Sequence, residues 1–272
     1  MRTFPSSARA FPVLLNRNAF GPRLVARAGD VWRAMQDVVV DQSSSVGWTP
    51  ERYVSAGLMF IVRHMRVVHH REVRFAESLV GRTWPHRSRR DMLFTREVRL
   101  LDGEDLVATA TQEWALLTRA LAPSRGNPDI TRAFTLEAGF PSVDLPGYQR
   151  QEGAAVHHFA FRTWHLWMDP HGHVNHPAYV DYCDEGTSRL LAAAGLDAQG
   201  LSPLAEEVHF RAAIGPDAEV DVETSLKGRT GEDVGVFAHR ILVEGKVCAT
   251  ATTFRRVVGA EPGWTGRLEQ GT

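Results

Sequence analysis

The residue types best suited to chemistry crowd into one stretch, Trp167-Met168-Asp169-Pro170-His171-Gly172-His173-Val174-Asn175-His176-Pro177-Ala178-Tyr179. It follows a strand-like run (Phe159 to Trp167) and precedes a helix-like one. A turn from strand into helix leaves backbone N–H groups unpaired at the positive end of the helix dipole. An oxyanion or a polarised carbonyl is stabilised at such a point. Asp169 stands just ahead of it, able to serve as base or nucleophile on that carbonyl. His171 and His173 can orient the carboxylate or hold a water beside it. Gly172 allows close backbone approach, so the N–H groups near it are expected to receive the carbonyl. Glu185, further along, is either a second carboxylate for the site or a helix glutamate satisfied locally.

The elements that must position these residues occur twice. Ala108-Thr109-Ala110-Thr111 returns as Ala249-Thr250-Ala251-Thr252, an offset of 141. Each copy follows a hairpin signal, the first turning at Asp102-Gly103 and the second at Glu244-Gly245. A strand is expected at Phe11 to Leu15. Asp30 suits the N-cap of a helix over Val31 to Ser45, with Val31, Met35, Val38 and Gln42 along one face and Gly47 as its stop. Pro177 suits the first turn of a second helix. There Tyr179, Cys183, Gly186, Leu190 and Ala194 recur at helical spacing, up to a stop at Gly195. Each half thus reads as strand, one helix of four to five turns, then several antiparallel strands. A curved sheet wrapped around the helix buries its apolar stripe. Two such units can join edge to edge into one continuous sheet. Small residues at Gly186, Thr187 and Ser188 would let the sheet or a neighbouring helix come close. The expected division is a first repeat over 1–121, a linker over 122–158 marked by Pro123, Pro128, Pro141 and Pro146, a second repeat over 159–258 and a tail over 259–272.

On these residues the chain resembles a known family. Asp169-Pro170, then Gly172-His173-Val174-Asn175 and Tyr179 resemble the signature of hot-dog-fold thioesterases. In the first half Trp32-Arg33-Ala34-Met35-Gln36-Asp37, Val80-Gly81-Arg82-Thr83-Trp84-Pro85, Arg89-Arg90-Asp91 and Glu113-Trp114-Ala115-Leu116-Leu117 resemble the N-terminal repeat of the acyl-ACP thioesterases. The resemblance spans roughly residues 10–256 and implies an α+β double hot-dog: two repeats, each a long helix wrapped by an antiparallel β-sheet, joined into one continuous sheet. It also implies hydrolysis of fatty acyl thioesters at a site in the second repeat only. The plant members' Asp-x-Asn-x-His run falls on Asp169, His171 and His173, with histidine in place of the middle asparagine. Their Glu-Cys pair falls on Ala213 and Ile214, which shifts the chemistry onto Asp169. The first repeat carries Asn18-Ala19-Phe20-Gly21 in place of the acidic cluster, so its half-site is expected to be silent. Asp169, His171 and His173 are therefore the expected catalytic residues, and Gly172, Asn175 and Tyr179 the expected substrate-binding ones.

Composition narrows the remaining classes. With 272 residues, 43% of them hydrophobic and 23% charged, the chain can bury two ordinary cores. No apolar run approaches the roughly 18 residues of a membrane span, and a net charge of −1 argues against nucleic-acid binding. Two cysteines, Cys183 and Cys248, are too few for a disulfide scaffold or a zinc ribbon, so a reduced, cytoplasmic protein is expected. Residues 1–29 hold five arginines and no acid, yet lack a cleavage site behind an apolar core, and read as the start of the fold. His171-Gly172-His173-Val174-Asn175-His176 loosely resembles a hydrolase zinc motif, but asparagine stands where an aspartate is wanted; no metal and no cofactor is expected. His69-His70 and His157-His158 are adjacent pairs that a strand would point to opposite faces. Residues 63–99 hold ten arginines against four acids, either a solvated strand face or a landing patch for acyl carrier protein or coenzyme A phosphates. Tryptophans 84, 114, 164 and 167 read as core, some of them as candidates for an acyl tunnel, and Cys183 as a buried helix residue.

The function expected is hydrolysis of acyl-ACP or acyl-CoA to free fatty acid and thiol. The alternative is a non-catalytic acyl-thioester-binding protein on the same scaffold, with a hot-dog dehydratase third. Expected partners are an acyl carrier protein or a coenzyme A thioester, without nucleic acid or membrane, and pairing of two chains is left open.

Overall fold

The computed structural model describes residues 4–124, 128–140, 142–151 and 154–269. Along the first half run β1 (Ala10–Val13), α1 (Ala28–Ser45), α2 (Pro50–Ser55), β2 (Leu58–His69), β3 (Leu79–Arg89), β4 (Leu93–Asp102) and β5 (Asp105–Thr118). Then come α3 (Pro128–Ala133), β6 (Gln149–Arg150), β7 (His157–Arg162), α4 (Ala178–Ala193), β8 (Leu201–Phe210), β9 (Glu219–Thr230), β10 (Val234–Val243), β11 (Lys246–Val257) and α5 (Gly266–Glu269). All eleven strands form one antiparallel sheet in the order β1-β3-β4-β5-β2-β8-β11-β10-β9-β6, with β7 also on β9. The second half repeats the first strand for strand: β7 answers β1, β8 answers β2, and β9 to β11 answer β3 to β5. The sheet curls around α1 and α4, which touch each other and share one apolar core with both halves. This is the double hot-dog architecture.

Among the described residues the strands of the two halves pair only at β2 and β8, and the register places Arg66 opposite Glu207. Their separation of 141 equals the offset of the Ala-Thr-Ala-Thr repeat, so the pseudo-two-fold axis passes between these two residues. Alternation sends Met65, Val67, His69, Glu206 and Val208 inward; His64, Arg66, Glu207 and His209 lie on the outer face.

Helices sit close to the sheet because one partner in each contact is glycine. A Cβ on Gly186 of α4 would collide with the Thr224 hydroxyl of β9. In the first half the roles are exchanged: Gly81 of β3 makes room for Val38 of α1. Helix α1 begins at Ala28, so Asp30 lies in its first turn instead of capping it, and Arg27 at the N-cap makes no side-chain cap bond. Gly47 and Gly195 end their helices at positive φ, as their placement predicts. The second hairpin turns at Glu244-Gly245, but in the first Asp102 still pairs with Asp105, which moves the two-residue turn to Gly103-Glu104.

The linker is not a free strap. Ile130 and Phe134 pack with Trp48, Leu58, Phe94 and Leu116, and Leu145 and Tyr148 pack with Phe254 and Val236. Helix α3 thus closes the inner side of the first half, where Phe94 stands opposite Trp114, while Phe140 against Trp84, the Val143 N–H on Thr111 Oγ1 at 2.8 Å, Leu145 and Tyr148 lie on the outer face; Pro141 lies outside the described residues. In the tail, buried Trp264 stacks on Phe237 at 6.4 Å, while residues 270–272 lie outside the described ones.

Candidate active site

Asp169 begins a tight loop that runs from Trp167 to α4. Its carboxylate Oδ1 accepts the backbone N–H of His171 at 2.8 Å and of His173 at 3.3 Å. An aspartate that folds back on the next few amides is a turn of the Asx kind. The backbone closes the same loop: Asp169 N–H donates to His173 O at 2.7 Å and Gly172 N–H to Asp169 O at 2.9 Å. Oδ1 is thereby fixed, while Oδ2 has no hydrogen-bond partner among the described residues. Beyond the loop, Val174 N–H reaches Ile214 O at 2.8 Å and Asn175 N–H reaches Trp167 O at 3.1 Å.

These bonds correct the expected oxyanion site. The N–H groups of residues 171 to 175 are all engaged, Gly172 among them, because the aspartate closes its turn on the amides thought to be open. His176 N–H, at the start of α4, is the backbone donor of residues 171–176 that has no acceptor among the described residues. The imidazoles of His171 and His173 do not bond the carboxylate; their backbones hold it, and their side chains line the cavity beside it.

That cavity has a volume of about 610 Å³. Asp169, His171, His173, Asn175, His176 and Tyr179 form one wall, and Phe210, Arg211, Ala212 and Ala213 face them from the end of β8. The rest comes from the first repeat: Gln36 and Val39 of α1, Tyr53 of α2, Met59, Phe60 and Val62 of β2, and Trp114 of β5. The lining is mainly apolar, with Asp169, His171, His173 and Asn175 among its polar groups from the second repeat and Gln36, Ser43, Tyr53 and Arg63 among those from the first. Neither repeat could form this space alone.

The other expected residues fall as follows. The Asn175 amide forms a reciprocal pair with Gln36, both bonds at 3.0 Å, and so ties the loop to α1. Gln36 carries no local mark of this role in the sequence, since its partner lies 139 residues away. Tyr179 is buried edge-to-face on Phe210 at 5.1 Å, and burial pushes its phenol above the usual range. His176 sits among Trp32, Trp114 and Phe210, and burial, helped by the charge of Arg33, drops its imidazole to about 3. It is neutral at any ordinary pH. Glu185 is exposed and pairs with Arg189 at 2.7 Å, four residues on in α4. It lies outside the cavity, which favours the local alternative. Cys183 is fully buried, and burial raises its thiol well above the ordinary value.

The loop has a counterpart in the first repeat at an offset of 148. Gly21 N–H donates to Val25 O and Leu24 N–H to Gly21 O, the same two bonds that Asp169 and Gly172 make. The isolated bridge Phe20–Ala26 matches Met168–Val174. Gly21 thus occupies the place of Asp169 and brings no carboxylate.

The arginine-rich run is not one patch. Arg96 and Arg99 are buried, Arg96 on Gln42 at 2.7 Å and Arg99 on Glu97 at 2.9 Å. Arg66 and Arg71 are ion-paired with Glu207 and Glu77. Arg63 alone of the ten lines the cavity, together with Arg211. Of the tryptophans, Trp84 is core, Trp114 lines the cavity, and Trp164 is exposed and stacked on Trp167 at 5.0 Å.

Residues 163–263, from just after β7 through the whole of α4 and β8 to β11, match the sequence model of the thioesterase-like superfamily. No curated protein matches the chain by sequence. Among solved structures both repeats align together with a Lactobacillus plantarum protein assigned as an oleoyl thioesterase, at 16% identity, 95% of this chain, 99% of that one and a TM-score of 0.80. The 12:0-ACP thioesterase from Umbellularia californica aligns at 16% identity over 93% and 98% of the two chains, with a TM-score of 0.74. An acyl-ACP thioesterase from Bacteroides thetaiotaomicron aligns at 10% identity over 92% and 98%, with a TM-score of 0.70. At such identities the shared property is the double hot-dog fold. No helix among the described residues is long and apolar enough to cross a membrane.

Proposed function

We propose that the chain hydrolyses fatty acyl thioesters, carried by acyl carrier protein or coenzyme A, and that Asp169 does the chemistry. The observation that carries this reading is a carboxylate in the wall of a mainly apolar cavity, one oxygen fixed by two backbone N–H groups and the other without a partner among the described residues. The acyl chain lies against Val39, Met59, Phe60 and Trp114, so the silent repeat supplies the binding surface for the active one. The thioester carbonyl sits at the start of α4, where the His176 N–H and the helix dipole stabilise the negative charge of the tetrahedral intermediate. Gln36 and Asn175 position the loop, each satisfying the other's amide.

Two routes balance. Asp169 can take a proton from water while the oxygen attacks the carbonyl; collapse then expels the thiolate, which regains the proton. Alternatively Asp169 attacks first, the thiolate leaves, and water cleaves the resulting anhydride to acid and free carboxylate. Neither needs a strong general acid, because a thiol's pKa is about 8.5. Hydrolysis in 18O-water under single turnover separates them: only the anhydride route can carry label into Asp169.

The test is Asp169→Asn and Asp169→Ala, assayed on acyl-CoA and acyl-ACP of graded length. Turnover should fall by about 10²–10⁴-fold while acyl-chain binding stays. Undiminished turnover rejects the role of Asp169. Acyl binding by the unaltered protein without any turnover points to the non-catalytic alternative.

A further inference from the structure

The outer face of the seam carries a cluster that the hydrolytic reading does not use. His64 on β2 stands directly opposite His209 on β8, and Glu207 lies two residues before His209 on the same face. Two residues at i and i+2 on one strand, with a third straight across on its neighbour, bring three side chains over one point of a sheet. Here they do so with donors that suit one chemistry: two imidazoles and a carboxylate, the borderline set that zinc favours. One ligand atom of each lies within 4.8 Å of those of the other two.

The distances suit a tetrahedral ion. Bonds of about 2.0–2.2 Å place any two ligand atoms about 3.3–3.6 Å apart around a tetrahedral zinc. His64 Nε2 lies 2.9 Å from Glu207 Oε1, a little inside that range, and His209 Nε2 3.6 Å from it, at its upper limit. The imidazoles are stacked with centroids 4.2 Å apart, so rotation about the side-chain torsions is what brings their lone pairs to one centre. His209 is exposed and the other two are half-buried, which leaves an entry path and a fourth position for water.

We propose that His64, Glu207 and His209 bind one divalent transition-metal ion, zinc by donor type, across the joint between the two repeats. The ion displaces the His64–Glu207 hydrogen bond and links β2 to β8 from the face opposite the shared core. Arg66 is the competitor: its Nε donates to the same Glu207 Oε1 at 2.6 Å and its charge opposes the cation. Arg66 therefore weakens the site, and removing it must tighten binding.

Zinc chloride titrated into the chelator-stripped full chain, followed by calorimetry, tests this. Cobalt(II) serves as a second probe, because a tetrahedral cobalt centre absorbs strongly in the visible. One equivalent should bind, the His64→Gln/His209→Gln pair should lose at least roughly tenfold in affinity, and Arg66→Gln should bind more tightly than the unaltered chain. The absence of stoichiometric uptake overturns the proposal. So does uptake that survives in the double variant, which would place the ion elsewhere, for example at His158, Asp221 and Glu223. Circular dichroism of the double variant confirms its fold, and Arg66→Gln leaves all three ligands in place. Hydrolysis is expected to be unchanged by chelator, so failure here leaves the Asp169 reading untouched.

Discussion

Glu206 offers the sharpest test of how the repeats are held together. It lies on β8 with no exposed surface and accepts hydrogen bonds from Arg255 Nη1 at 2.5 Å, His69 Nε2 at 2.9 Å and Trp32 Nε1 at 3.0 Å. Trp32 and His69 belong to the first repeat, Arg255 to the second, and Asp184 of α4 takes the Arg255 Nε at 2.7 Å. Burial opposes the charge on Glu206, but His69, Arg255 and the hydrogen bonds outweigh it and hold the carboxyl down at about 2, from an ordinary 4.5. That difference of about 2.5 units at 1.36 kcal/mol each corresponds to about 3 kcal/mol of folding stability. Because the folded value is the lower one, this contribution is fully present above pH 4.5 and is lost as pH falls towards 2. Glu206→Gln keeps the volume but leaves Arg255 with Asp184 alone, and breaking a buried pair costs about 3–5 kcal/mol. Urea unfolding of Glu206→Gln and the unaltered chain, measured at pH 7 and again at pH 3, reads both numbers. The gap should be about 3 kcal/mol or more at pH 7 and shrink at pH 3. A gap under about 1 kcal/mol at pH 7, or one that does not change with pH, would refute an ionic fastening centred on Glu206.

Three further outcomes follow from the same structure. Val39→Trp fills the cavity beneath the Asp169 end, so kcat/KM for the longest acyl thioesters should drop by tenfold or more relative to the shortest, as competition assays would show. Gly186→Ala forces a methyl onto the Thr224 hydroxyl and should cost about 1–3 kcal/mol in thermal or urea unfolding, with the double variant Gly186→Ala/Thr224→Ala recovering part of the loss. Gln36→Ala strands the Asn175 amide and should cut kcat while the Tm falls by only a few degrees, whereas an unchanged kcat would remove the pair from the positioning role.

What could be read from sequence was local or repeated. Gly47 and Gly195 marked helix ends because a positive φ is cheap only for glycine, and Ala-Thr-Ala-Thr exposed the duplication because a short identical word kept its offset. Asp169 stood out because its neighbours form a turn and a helix start. The same turn misled: an aspartate followed by proline and glycine tends to bond its own next amides, which here consumes the N–H groups assigned to the substrate. Gln36 and Glu206 had no such local mark, since their partners lie 139 and 174 residues away and only the closed sheet brings them together. The surplus of arginine in residues 63–99 was misleading for another reason: counting charges along a strand takes no account of which face the linker covers.

The residues at the centre of the seam have a consequence for ancestry and assembly. When two identical strands lie antiparallel about a dyad, whichever residue sits at the crossing must look at its own image, and no residue can be its own counter-ion. Tandem duplication within one polypeptide lifts that restriction: arginine at 66 now looks at glutamate at 207. Split into halves, each piece would confront its own kind, arginine against arginine or glutamate against glutamate, while the mixed pair would recover the match. The fused molecule thus carries at its midpoint a preference for the unlike half that no self-paired ancestor could have possessed.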